Sequence, residues 1–552
     1  MVRRVFALMY QEVRGLHQAA YVLAMFAIGS QLLALLRDRL LAHQFGAGAE
    51  LDIYYAAFRL PDLLFVLFAS TLSVYVLIPF VTRAGKEGSH LLSQVFTLFL
   101  LAYSLFGILA FFSAPYFVPK LFPGIEDTGS LVLLSQLLLL QPFLLGISSL
   151  FGVVTQLGHR FVLYAISPLT YNFGIIIGIL FLYPLFGLLG LGLGVVLGAF
   201  LHLIVQWPFV RRSELSIGLA FKFNWQEIGR ILTLSIPRAL TLSMQQIVLL
   251  FLVGLASAMT VGSVAIFQFA YNLQSVPLAI IGVSYSVAAF PMLAELYGKQ
   301  MRAEFSLHIT TSLRHIVFWS VPAIALIVVL RAQIVRVVLG SGAFDWADTR
   351  LTAAVLALLV ISLLAQAINL VVIRAFYAGG KTLVPFVVTF LGSLLAIASA
   401  YGFLSFYLAE TSIHTVVSAF MRLEGVTGSE VLAIAFGYTL AVILQSLVLL
   451  FVMSRAFSIP MRWIGRSLIY AFCAATVGGL FAYVTLNFIV EGVDQARFVG
   501  ILIQGFLAGC AGVFGTVITY AWFKSPELHE VYISFQKKLL KTDVVAPQEE
   551  II

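Results

Sequence analysis

The sequence predicts an all-α polytopic membrane protein of about fourteen transmembrane helices, arranged as two six-helix lobes in pseudo-two-fold repeat plus two extra C-terminal helices. Composition is the first reason. Of 552 residues, 61% are hydrophobic and 10% charged, with a mean hydropathy of +1.04, far from the balance of a soluble domain. The second reason is length: apolar runs recur that can each cross a hydrocarbon layer of about 30 Å as a helix. The third is a weak internal repeat. Ala57-Phe58-Arg59-Leu60 resembles Ala270-Tyr271-Asn272-Leu273, the flanking apolar runs align at the same offset, and Gly158-His159-Arg160 resembles Gly379-Gly380-Lys381 at a slightly larger one. Twelve spans divided six and six by such a repeat suggest parallel halves related by an axis along the membrane normal.

In chain order the spanning runs are approximately 16–45, 50–82, 91–113, 130–157, 161–185, 187–210, 228–256, 262–294, 306–330, 349–378, 382–408, 430–454, 464–489 and 498–523. Their lengths suit helices, since a membrane strand needs only about ten residues. The expected domains are an N-lobe over 1–225, a C-lobe over 226–460, two further helices over 461–525 and a cytoplasmic tail over 526–552. The first two runs exceed what a bilayer needs, so they must tilt, bend or project. Pro61 bends the second, because its ring removes one hydrogen bond and crowds the carbonyl of Ala57. Residues 411–424 read as an amphipathic helix on the outer surface, and the tail after Lys524 as an inner-surface helix. Cys473 and Cys510 lie in apolar runs without metal-ligand spacing, which predicts buried inert thiols and no disulfide framework.

Lys and Arg in the connections orient the chain. With the N-terminus inside, the outer connections hold only Lys120, Arg331, Arg336, Arg350, Arg422 and Arg497, while Arg3, Arg4 and Arg14 join the larger inner set. An even number of spans then places both termini in the cytoplasm. The apolar run after Arg14 is too long for a signal-peptide core and reads as an uncleaved first span. The net charge of +8 follows mostly from this asymmetry and a basic tail, so no nucleic-acid partner is implied.

Charge inside the spans is the chemical signal. Arg37, Asp38 and Arg39 precede the small-residue turn Gly46-Ala47-Gly48-Ala49, and Arg59 and Asp62 follow it. At about 1.5 Å per residue, both sets sit ~15 Å below the turn, near half the hydrocarbon thickness. Charge at that depth marks a functional site facing a bundle interior or a wet cavity; the alternative is snorkelling to the outer interface, with Asp38 neutralising a neighbouring Arg. By repeat offset Arg37 and Asp38 correspond to Leu250 and Phe251, and Arg59 to Asn272, so the charges belong to the first half. A cationic cavity suits an anionic substrate, because guanidinium offers phosphate a planar fork of donors. Gly46, Gly48 and Pro61 are the candidate gating and kink positions.

The run LLRDRLLAHQFGAGAELDIYYAAFRLPDLL, from Leu35 to Leu64, resembles the signature of the MurJ/MviN family of lipid II flippases, within the multidrug/oligosaccharidyl-lipid/polysaccharide exporter superfamily. Supporting stretches are Gly158 to Asn172, Ile236-Pro237, Val276-Pro277, Gly342-Ala343-Phe344 and Arg374-Ala375-Phe376-Tyr377-Ala378. The resemblance extends over the whole chain and includes the two C-terminal helices. It implies a monomeric transporter in the plasma membrane of a bacterium that carries undecaprenyl-pyrophosphate-linked peptidoglycan precursor, lipid II, from the cytoplasmic to the outer leaflet by alternating access. No cofactor is called for. The last two helices would offer a groove for the lipid tail, and the family's cavity residues fall by position on Arg37, Asp38 and Arg59.

Two departures bear on that implication. Family members carry an Asp-Arg pair shortly before the proline of the eighth span, where this chain has Tyr271 and Asn272 before Pro277. The seventh, eleventh and twelfth spans hold no carboxylate in their interiors, so the sodium site of some family members lacks obvious ligands. Arg238, directly after Pro237, shares a helix face with Thr241 and Gln245 and is the candidate to supply the missing cavity cation. Gln268, Asn272 and Ser275 form a similar stripe, and such stripes either line a cavity or join helices. Asn172, Gln366 and Asn369 read as interhelical glue, Arg314 and His315 as reaching cytoplasmic headgroups, and Gly505 with Gly509 as a close-packing pair. No P-loop, zinc pattern or nucleophile-base pair is present, which argues for a transporter driven by gradients or potential rather than an ATP-driven pump or an enzyme. A flippase for another polyprenyl-pyrophosphate-linked oligosaccharide remains an alternative, and an exporter of cationic drugs suits an Arg-lined cavity less well.

Overall fold

A computed structural model of the chain describes residues 16–69, 74–215, 217–460, 462–489 and 497–539. The expectations for Arg3, Arg4 and Arg14 and for the end of the tail lie outside the described residues. All regular structure among the described residues is helical. The first span is α1 (Leu16–Phe45), and the second is made from α2 (Ala49–Ala57), α3 (Arg59–Ala69) and α4 (Val74–Ala84). Then follow α5 (Gly88–Leu121), α6 (Thr128–Leu138) with α7 (Leu140–Leu157), and α8 (Phe161–Ile177), which continues through a π turn into α9 (Tyr183–Phe186). The sixth span is α10 (Leu188–Ile204) with the short α11 (Trp207–Val210), and the seventh is α12 (Trp225–Ser257). The eighth joins α13 (Ser263–Leu278) to α14 (Ser284–Gly298) through a π turn at Ala279–Val283, just after Pro277 withholds its hydrogen bond. Next come α15 (Arg302–Val338), α16 (Trp346–Ile361) bent by 42° against α17 (Leu363–Ala378), and α18 (Leu383–Ala409). The last elements are α19 (Thr411–Met421), α20 (Val431–Phe457), α21 (Arg462–Val484), α22 (Phe498–Trp522) and α23 (Pro526–Leu539).

Eleven of these helices are long and apolar enough to cross a membrane, and the bent pair makes a twelfth. The charged α1 and the interrupted second span bring this into line with the expected fourteen. The second span breaks at Phe58, so Pro61 falls in the first turn of α3, where a missing N–H costs least.

The chain forms two compact units. One consists of Met1–Asn272, Val338–Val355 and Thr382–Ala441. Part of its core is an apolar cluster around Leu92, Val95, Phe99, Leu150, Phe151 and Val154 from α5 and α7. Residues 213–215 and 217–224 run along α5 as an irregular strap. Ser89, Ser93 and Thr97, spaced four apart on one helix face, bond Glu214 O, Gly218 N and Ala220 N, and Gln94 takes Asn224 N. The strap's backbone is thereby satisfied without a sheet.

The other unit consists of Leu273–Val337, Leu356–Lys381 and Val442–Ile552. Phe457 meets Tyr297, Phe305 and Phe376 in an aromatic cluster. Glu527 at the start of α23 is buried and accepts from Arg314 Nε (2.8 Å), Ser467 (2.7 Å) and Ser525 (2.6 Å), while His315 pairs with Glu530 at 2.8 Å. Arg314 and His315 thus bind the C-terminal helix and not headgroups, as a charge able to reach a buried carboxylate gains more there than from solvent. The tightest approach of α21 and α22 is at Gly478 and Gly512, where a Cβ on Gly478 would meet Gly512 O at 2.8 Å. Gly505 and Gly509 instead face Gln333 and Leu330. Cys473 is half-buried and Cys510 exposed, contrary to the expectation of burial, because an apolar run in a span also supplies the outer flank of its helix.

Candidate functional site

Four helices of the first unit bring the intramembrane charges into one hydrogen-bonded chain. On α1, Arg37 sends Nε and Nη2 to Asp38 Oδ1 at 3.0 and 2.8 Å, and Nη1 to Asn172 Oδ1 of α8 at 3.1 Å. Asn172 is itself held by Pro168 O and Ser30 Oγ. The second oxygen of Asp38 accepts from Asn272 Nδ2 of α13 at 3.0 Å, and Asn272 Oδ1 accepts from Gln268 at 2.6 Å. Gln268 Oε1 then accepts from Arg59 Nη2 at 2.8 Å, and Arg59 Nε returns to Tyr55 O at 3.1 Å. The chain therefore runs from Arg37 through Asp38, Asn272 and Gln268 to Arg59. Asp38 is 3% exposed and Arg59 5%. Side chains this deep are costly unless paired, and the network pairs them.

The sequence places Arg37, Asp38, Arg59 and Asn272 among the site residues, and the network joins all four. Arg238 stands half-buried on α12; the neighbouring Thr241 is spent on Pro237 O and Gln245 on the Tyr271 hydroxyl. Arg39 is directed to Val338 O. Asn172, read as interhelical glue, also anchors Arg37. Tyr55 was not anticipated: its hydroxyl is buried without a hydrogen-bond partner, in electrostatic reach of Arg37, Asp38 and Arg59. Its only sequence signal is its position one turn before Arg59.

Above the network the Gly46–Ala49 turn is bolted down. Gly46 has φ +60°, and a Cβ there would meet Ala343 O at 2.6 Å. Gly48 caps α2, with its carbonyl accepting from Leu51 N and Asp52 N. Ala343 N bonds His43 O (2.9 Å), Ala47 N bonds Asp348 Oδ2 (3.1 Å), and Glu430 takes both Thr260 N and its hydroxyl. Asp52 accepts from Gly262 N (2.6 Å) and Ala265 N (2.9 Å), capping α13 with a buried carboxylate. Asp52 and Ala265 stand at the same sequence offset as Arg59 and Asn272, a regularity of the repeat that could have pointed to this contact. Phe344, Phe269 and Tyr55 make successive edge contacts from this knot toward the network.

A family model described as lipid II flippase MurJ matches residues 41–412, well over half of the chain. The chain belongs to the MurJ family. The match begins three residues after Asp38, so Arg59, Arg238 and Asn272 fall within it and Arg37 and Asp38 just before it. The chain is 28% identical over 403 residues to the probable lipid II flippase MurJ of Rhizobium tropici, covering 70% of this chain and 75% of that protein. It is 27% identical over 384 residues to the one of Thermotoga maritima, covering 68% and 77%. Among solved structures, lipid II flippase MurJ in an inward closed conformation superposes with a TM-score of 0.71 at 22% identity, covering 91% of this chain and 99% of that one. An inward-facing multidrug resistance MATE transporter of the MOP superfamily gives 0.62 at 16%, covering 78% and 94%. These likenesses show a shared fold.

Proposed function

We propose that the protein is a lipid II flippase that moves the undecaprenyl-pyrophosphate-linked peptidoglycan precursor across the inner membrane of a bacterium, with both termini cytoplasmic. The match of residues 41–412 to the MurJ family carries this reading. Arg37 and Arg59 give it chemistry, since two guanidinium groups at mid-membrane depth suit the two phosphates of the substrate. In this reading spans one to six and seven to twelve act as lobes that rock about the site, the last two helices hold the lipid tail, and the monomer transports without a cofactor or a catalytic step. The knot around Gly46, Gly48 and Asp52 serves as the outer gate, Pro61 lets α3 swing under it, and Arg238 adds a cation from the second half.

The test is rescue of a bacterium depleted of its own lipid II flippase by the wild type and by Arg37→Ala, Arg59→Ala and Arg238→Ala. Rescue by the wild type with loss in all three is expected; rescue by Arg238→Ala would remove Arg238 from the site. Asn272 in place of the family's Arg favours one second reading, a flippase for a different polyprenyl-linked glycan, which a well-expressed wild type that fails to rescue would select.

A further inference from the structure

One cation of the site, Arg37, is engaged by the protein's own anion. Arg37 meets Asp38 with the same two-nitrogen fork that a phosphate would use. A pyrophosphate diester can take that fork only by displacing Asp38. Asp38 cannot swing clear, because Asn272 holds its other oxygen at 3.0 Å and is in turn held by Gln268. Displacement therefore leaves a carboxylate facing a dianion at mid-membrane depth.

Charge counting shows how this is relieved. The Arg37–Asp38 ion pair is neutral by itself. A bound diester dianion takes Arg37 for itself and leaves the pinned Asp38 carboxylate beside it as excess negative charge, which one proton on Asp38 removes. The other titratable groups in electrostatic reach of Asp38 are Tyr54 and Tyr55 of α2, while Tyr171 of α8 reaches Arg37 and Tyr271 of α13 reaches Arg59; all four are phenols that add no charge. The orphan hydroxyl of Tyr55 within this cluster is a donor without an acceptor, which independently points to a missing oxygen-rich ligand.

We propose that Asp38 is an internal surrogate for the substrate's phosphate, and that binding of a pyrophosphate diester displaces it from Arg37 and loads it with one proton. The proton comes from water on the side open to the site and sits on a carboxylate oxygen, from which it donates to the bound phosphate. When the substrate leaves, Arg37 returns and the proton is released. Asn272 is here a positioning residue that keeps Asp38 in place. This inference rests on the flippase reading, which supplies the diester.

The experiment is titration calorimetry of the purified full-length protein with a short-chain prenyl-pyrophosphoryl-N-acetylglucosamine, a diester without a titratable phosphate proton near neutral pH. Running it in buffers of different ionisation heat counts protons. The wild type is expected to take up about one proton, and its affinity to weaken up to about tenfold per pH unit as pH rises. Asp38→Asn should bind with no proton uptake and a flat pH profile. Wild-type binding without proton uptake overturns the inference by itself, whether or not any variant folds. Uptake that persists in Asp38→Asn also overturns it. Absence of any wild-type binding overturns instead the flippase reading beneath it.

Discussion

At the scale of single residues, the site depends on geometry more than on charge alone. Arg37 spends three nitrogens on two partners, which a lysine cannot reproduce with one ammonium. Arg37→Lys is therefore expected to keep the charge and still lose more than tenfold in flipping rate, measured in vesicles with a fluorescent lipid II analogue; wild-type rates would sink the bidentate role. Asp52 is a second residue whose position matters. Its two oxygens satisfy Gly262 N and Ala265 N at the buried start of α13. Asp52→Ala should lower stability by about 1–2 kcal/mol, read as a drop in melting temperature, with Asp52→Asn recovering part of it. An unchanged melting temperature would show that these N–H groups find other partners.

At the scale of elements, the C-terminal helix α23 gives a pH-dependent prediction. Burial of Glu527 pushes its carboxyl up, but the hydrogen bonds from Ser525, Ser467 and Arg314 outweigh this and hold it below the usual glutamate range. A group depressed in the folded state adds stability above its unfolded value, and that contribution is lost as pH falls through the folded one. Docking of α23 should thus be constant around neutrality and weaken only below about pH 4.3, the ordinary glutamate value. Hydrogen exchange of residues 526–539 against pH measures this, and protection that fails near neutral pH would contradict it. Glu527→Ala should release the helix at all pH values, because it strands Arg314. The strap of residues 213–215 and 217–224 is a comparable device in the other unit, held by side chains of α5.

At the scale of the whole molecule, the proposed cycle returns the site without the substrate's dianion and its one proton, so the empty site is more positive than the occupied one by one charge. Moving one charge across 100 mV is worth about 2.3 kcal/mol, so a negative-inside potential draws the empty site back toward the cytoplasm. Flipping should slow when the potential is collapsed at constant pH. A rate independent of potential would show that the return step carries no charge.

How much of this the sequence determines differs by feature. Hydropathy at helical length is a local property, so the spans could be counted along the chain, down to the charged first pair that composition alone would pass over. The signature around Arg37 to Asp62 pointed to the family, and Arg37, Asp38 and Arg59 from it lie in one network. The partners did not follow. Arg37 finds Asn172 at a separation of 135 residues and Asp38 finds Asn272 at 234, and polar bonds between spans leave no periodic trace to read. Arg314, Cys510 and the close contact at Gly478 went the same way, because which flank of an apolar helix is packed is invisible to its hydropathy. The chain by itself determined which segments enter the membrane and where charge lies along them. Only tertiary structure decided which charges meet, since a hydrogen bond requires a distance and a direction that sequence spacing cannot supply.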